Sequence, residues 1–113
     1  MSDSDRNDDR GGVWDAVVDA FRTMAPVVER RSRYGDKPAL TLHGREVAHC
    51  ETPGIVDLRV TGQGWRTLPE QVRMDPRLRR DPARRDWAEL RVDTPADVAA
   101  LVVVIRAVTS AND

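Results

Sequence analysis

The chain has 113 residues, 33% of them charged, a net charge of only -1 and a single cysteine, which fits one domain. The near balance of 18 Lys and Arg against 19 Asp and Glu excludes a grossly basic nucleic-acid binder and an acidic disordered tail. Cys50 alone excludes an internal disulfide, and the longest apolar run, 98–105, falls far short of the ~20 residues a membrane span needs. The polar, acidic start has no apolar segment of the signal-peptide kind, so a cytoplasmic protein without membrane partners is expected.

Residues 1–11 read as a disordered acidic lead, followed by a single domain over 12–113. Trp14, Val17, Val18, Phe21, Met24 and Ala25 recur at helical spacing, and Pro26 ends that helix. Residues 27–35 read as an extended, basic connection. Leu40 and Leu42 alternate in a strand over 38–42, and His43-Gly44 is a tight turn into a second strand over 45–51. After Pro53-Gly54 a third strand covers 55–61, with Val56, Leu58 and Val60 on one face and Asp57 and Arg59 on the other. Trp65, Leu68, Val72 and Met74 fit the buried side of a short helix with Pro69 in its first turns. A short edge strand is expected around 77–80 and another alternating strand at 86–92. Thr94, Pro95 and Asp97 mark the N-terminus of the last helix, whose stripe is Val98, Leu101, Val102, Ile105 and Val108. The pattern predicts an α+β fold of two layers, with an antiparallel sheet of four to five strands packed on N- and C-terminal helices.

Three stretches, taken in order, resemble small actinobacterial luciferase-domain proteins. They are Arg33-Tyr-Gly-Asp-Lys-Pro-Ala-Leu40 with Gly44-Arg-Glu-Val-Ala-His49, then Gly54-Ile-Val-Asp-Leu-Arg-Val-Thr61, then Asp86-Trp-Ala-Glu-Leu-Arg-Val-Asp-Thr-Pro-Ala-Asp97. The same order is similar, more remotely, to the double-wing fold described as DNA-binding. The resemblance implies a compact α+β domain; it implies neither light emission nor a flavin site. It also implies a Glu-x-x-His-x-His pattern in the second strand. Glu46 and His49 match that pattern, whereas Glu51 stands where the second His would be.

Four candidate surfaces emerge from the residues. Glu46 and His49 are the catalytic candidates, since His serves as a base near neutral pH; on a flat strand, however, alternation sends them to opposite faces unless a bulge intervenes. Asp57, Arg59, Trp87 and Glu89 share the polar sheet face and could line a shallow ligand site. Arg77, Arg79, Arg80, Arg84 and Arg85, in a stretch that holds six Arg between 73 and 85, are the anion-binding candidates. The last helix, 98–108, is apolar nearly all round, and Val103 and Val104 would serve a homodimer if exposed. One Cys with His43 and His49 makes a poor start for a zinc site, so neither metal nor cofactor is expected. The leading expectation is a non-catalytic module that binds a small molecule or a protein. A nucleic-acid binder using 73–85 and a small enzyme using His49 with nearby carboxylates are the alternatives.

Overall fold

A computed structural model describes residues 3–113, with side chains from Gly12 onward; the expected acidic lead at 1–11 lies outside the residues whose side chains are described. In chain order the elements are α1 (Asp3–Arg22), β1 (Val28–Arg31), β2 (Pro38–Leu42), β3 (Arg45–Thr52), β4 (Ile55–Leu58), α2 (Thr61–Thr67), α3 (Glu70–Arg73), β5 (Leu78–Arg80), β6 (Ala88–Arg91), α4 (Pro95–Ala100) and α5 (Val102–Ala111). The strands form one antiparallel sheet in the order β1-β2-β3-β4-β6-β5. The fold is α+β as the pattern predicts, with one strand more than expected. The extra strand is β1, in the segment read as a connection. All four of its residues are exposed, so no apolar alternation announces it. Backbone pairing with β2 and a hydrogen bond from Trp14 Nε1 to Glu29 place it.

The register divides the sheet into two chemically different faces. Leu40, Ala48, Leu58 and Ala88 are successive cross-strand neighbours, and so are Val56, Leu90 and Leu78. These residues are all buried, in one cluster with Val13, Val17 and Phe21 of α1 and Val104, Ile105 and Val108 of α5. Apolar burial at about 25 cal/mol per Å² is the dominant favourable term here. The adjacent row runs Ala39, His49, Asp57, Glu89, Arg79 across β2, β3, β4, β6 and β5. Because side chains alternate, this polar row lies on the opposite face.

Two turns set that register. His43 (φ 53) and Gly44 (φ 80) both adopt left-handed backbone, the requirement of a type I′ hairpin. Pro53-Gly54, with Gly54 at φ 87, supplies the residue pair of a type II turn.

The start of the last helix is as the residues predict. Thr94 accepts from the Asp97 N–H, and the Asp97 carboxylate accepts from the Thr94 N–H, a reciprocal capping box. Thr94→Ala is expected to cost about 1 kcal/mol of stability, read as a shift in urea midpoint without a change in slope. Beyond this start the single helix expected here divides into α4 and α5 at Leu101 (φ -112, ψ 22), ahead of three consecutive β-branched valines that crowd the preceding turn. The division turns Val104 into the core, where it is fully buried, and Val103 is packed against the core too. Of the pair that would serve a dimer if exposed, Val104 is thus buried and Val103 partly buried. Similarly, Met74 is 74% exposed rather than on a buried helix side, because α2 and α3 are separate short helices with Pro69 between them. No helix among the described residues is long and apolar enough to cross a membrane.

Candidate functional site

His49 is the centre of the polar face. It is 1% exposed, and both ring nitrogens meet carboxylates: Nδ1 lies 2.9 Å from Glu46 Oε2, and Nε2 lies 2.9 Å from Asp57 Oδ2 and 3.3 Å from Glu51 Oε2. Glu46 and His49 reach the same face through a bulge. In the β2–β3 register Leu40 pairs with Ala48 and Thr41 with Glu46, so Val47 is the extra residue. Val47 and Ala48 both enter the core, which flips Glu46 to the polar side. The opposite-face placement expected of a flat strand is thereby corrected. A second register shift, between Cys50 and Thr52, leaves Glu51 without a partner in the ladder.

The buried carboxylate of Glu46 is tied in further. Its Oε2 accepts from Ser32 Oγ (2.9 Å) and its Oε1 from the Arg33 N–H (3.0 Å), while Ser32 Oγ accepts from the Tyr34 N–H. The segment 32–34 thus folds over the sheet and places Tyr34 against His49, with ring centroids 5.7 Å apart. Trp87, just before β6, closes the other side at 5.2 Å from His49 and 6.0 Å from Tyr34. Trp87 is 6% exposed, so it is a wall of the site rather than an open platform. Among the described residues no buried side-chain N or O atom lacks a hydrogen-bond partner, which is what makes such a polar interior affordable.

Beside this array opens a cleft of about 320 Å³ lined by Glu51, Asp57, Glu89 and Arg79, Arg80, Arg84, with Asp81 and Pro82. Asp57 belongs to both array and cleft. Arg84 leans over the Tyr34 and Trp87 rings (5.7 and 5.4 Å) and approaches Asp57 at 3.6 Å while pairing with Asp81 at 3.1 Å. Two backbone N–H groups, of Ala83 and Arg84, pull the Asp81 carboxyl below its ordinary range. Lys37 pairs with Glu51 at 2.5 Å. Burial pushes the neighbouring Cys50 thiol up, keeping it a poor nucleophile.

Of the expected ligand-site residues, Asp57, Trp87 and Glu89 come together and Arg59 does not. The strand ends at Leu58, and Arg59 turns away to donate to Asn112 Oδ1 at the end of α5 and to Asp86. The arginine cluster likewise divides. Arg79, Arg80 and Arg84 reach the cleft; Arg85 does not line it, and its carbonyl holds Arg80 Nε. Arg77 is a clamp: its guanidinium donates to both oxygens of Asp75 and to Asp97 Oδ1, tying the start of β5 to α4. That bond holds the Asp75 carboxyl at about 2. A carboxyl depressed in the fold contributes stability that is complete above its unfolded value near 3.8 and is lost as pH falls through about 2. Between pH 4 and 2 the wild type should therefore lose more melting temperature than Arg77→Ala, which lacks the bond from the start. Equal slopes for the two would show that the clamp contributes nothing.

The expectation of no metal site counted only Cys and His. Two carboxylates complete a different donor set, because one ligand atom each of His49, Glu51 and Asp57 lies within 4.8 Å of the others. Neither the bulge at Val47 nor the register shift in β3 at Glu51 has a residue signature, so the spacing of Glu46, His49 and Glu51 could not reveal the array. Comparison with known protein families, with curated proteins and with solved structures finds no match to this chain.

Proposed function

We propose that the protein is a small-molecule-binding domain whose cleft takes a polar ligand carrying an anionic group and at least one hydrogen-bond-donating group. The observation that carries this reading is the cleft of about 320 Å³ in which three arginines face four carboxylates, built directly on the buried His49 array. Arg79 and Arg80 suit a carboxylate or phosphate, since a guanidinium fork matches both bidentately. Asp57 and Glu89 suit hydroxyl or amino groups. The volume is at the small end of ligand sites, which favours a metabolite over a drug-sized molecule or a protein segment. A cytoplasmic setting fits the lone thiol of Cys50.

The test uses Trp87 as its reporter. Titration with hydroxy acids, amino acids and sugar phosphates should change tryptophan emission saturably for at least one class, and Asp57→Asn or Arg79→Ala should abolish the change. Silence across the panel in the wild type, matched by Trp87→Phe, would remove the reading. A second reading, catalysis at the same place, is favoured by one specific observation. Asp57 lines the cleft and hydrogen-bonds His49, so a proton could pass between bound ligand and the array. In that case Asp57→Asn would keep ligand affinity while ending conversion of the ligand. Nucleic-acid binding is weaker as a reading, since Arg77 and Arg84 are committed to carboxylates; duplex DNA should show unchanged mobility with this protein at low salt.

A further inference from the structure

We infer that His49, Asp57 and Glu51 form a binding site for a divalent transition-metal ion, Zn²⁺ or a close relative, at the floor of the cleft. The inference rests on the reading that this cleft is a binding site, and names the ion it would hold. Three observations converge. The first is donor chemistry. Metal binding needs the tautomer in which Glu46 accepts from Nδ1 of His49, which leaves the lone pair on Nε2. That lone pair faces Asp57 Oδ2 at 2.9 Å and Glu51 Oε2 at 3.3 Å. In that tautomer the three ligand atoms converge on one point, and an ion would take the place of the Nε2–Asp57 hydrogen bond.

The second is spacing. Ligand atoms ~2.1 Å from a common ion lie ~3.0 Å apart along an octahedral edge and ~3.4 Å apart along a tetrahedral one. The two Nε2–carboxylate distances, 2.9 and 3.3 Å, are close to these values, and all three ligand atoms lie within 4.8 Å of one another. The third is the surroundings. A metal-ligating histidine characteristically donates its other ring nitrogen to a carboxylate. Here that carboxylate is Glu46, itself held by Ser32 and the Arg33 N–H. One imidazole with two carboxylates suits Zn²⁺ or Mn²⁺ better than Ca²⁺ or Mg²⁺, which prefer oxygen alone. The open side of the ion would face the cleft, where a ligand's anionic group could complete its coordination. Lys37, 2.5 Å from the same Glu51 Oε2, and Arg84, 3.6 Å from Asp57 Oδ2, are the local competitors.

The experiment is isothermal titration of the chelator-stripped 113-residue chain with Zn²⁺ alone. One ion per chain is expected. Binding should be lost in His49→Ala and Asp57→Asn, weakened about 10–100-fold in Glu46→Gln, tightened several-fold in Arg84→Gln, and unchanged in His43→Ala. Because His49→Ala also destabilises the fold, a wild-type readout stands beside it. In a long-range ¹H–¹⁵N spectrum, zinc should move Nε2 of His49 and leave His43 in place. Absence of saturable heat up to millimolar zinc overturns the inference, as does binding that survives Asp57→Asn or leaves the His49 resonances unmoved. Such a spectrum, with both His49 nitrogens protonated throughout, would mean that an imidazolium bridges the carboxylates instead. If zinc fails while an organic ligand still changes Trp87 emission, the cleft reading survives alone; if zinc binds and the whole panel is silent, the ion is itself the ligand.

Discussion

His49→Ala should be among the most damaging single substitutions in this protein, although the residue carries no part of the apolar core. Removing the ring leaves Glu46 and Asp57, 7% and 8% exposed, facing a cavity with their shared partner gone. Breaking a buried charged array by deleting one member costs about 3–5 kcal/mol. Ser32 and the Arg33 N–H still serve Glu46, which places the expected loss near the lower end. Against a total stability of about 5–15 kcal/mol for a domain, even that end is large. The melting temperature should fall by about 4–8 °C for each kcal/mol. The diagnostic feature is non-additivity. Glu46→Gln alone also breaks the array, but Glu46→Gln combined with His49→Ala removes one of the charges that His49→Ala strands. The double variant should therefore lose well less than the sum of the two single losses, with a coupling on the order of 0.5–3 kcal/mol. Strict additivity in urea unfolding would mean that Glu46 and His49 do not share a hydrogen bond in solution.

The same two residues mark the limit of what the sequence makes legible. Val56, Leu58, Ala88 and Leu90 alternate cleanly, and their strands sit where alternation puts them; Thr94, Pro95 and Asp97 likewise announce their helix. These features are local, since each follows from one segment's period or from a cap. The meeting of Glu46 with His49 depends on one residue, Val47, being out of step with a partner strand. Nothing in Arg45-Glu-Val-Ala-His says which strand it will pair with or where the ladder slips. Strand β1 is hidden for a similar reason, because an edge strand with no buried residue is made by its neighbour. Arg59 shows the reverse error. Alternation carries it onto the polar face, but the strand stops one residue earlier and the end of α5 takes the side chain. The arginines show a third. As a run they read as a basic patch, whereas in the fold Asp75 and Asp97 together absorb Arg77 and Asp81 absorbs Arg84. Near-neutrality of the chain is thus reproduced locally, pair by pair, and the charges left facing one another across the cleft are those on the cross-strand row.

Phe21→Ala tests the other face of the sheet, and its expected cost is of equal size by a different mechanism. The chain has one phenylalanine, at the end of α1, fully buried and among the largest side chains in the core. Its carbonyl accepts from the N–H groups of Met24 and Ala25, so the ring sits where the helix closes. Truncating such a ring costs about 3–5 kcal/mol, the transfer of the lost carbons plus the cavity left behind. Much of the remaining core is valine, and β-branched side chains have few rotamers with which to collapse into that space, which favours the upper end. Phe21→Leu should recover most of the loss, because it refills the cavity without a polar atom. Met74→Ala, at a side chain 74% exposed, should stay within about 0.5 kcal/mol of wild type. Unlike His49→Ala, the Phe21→Ala loss should not be relieved by Glu46→Gln, and the two substitutions should add, since one opens a cavity against the helices and the other strands charges across the sheet. A Phe21→Ala loss below about 1 kcal/mol would mean that α1 does not close this core.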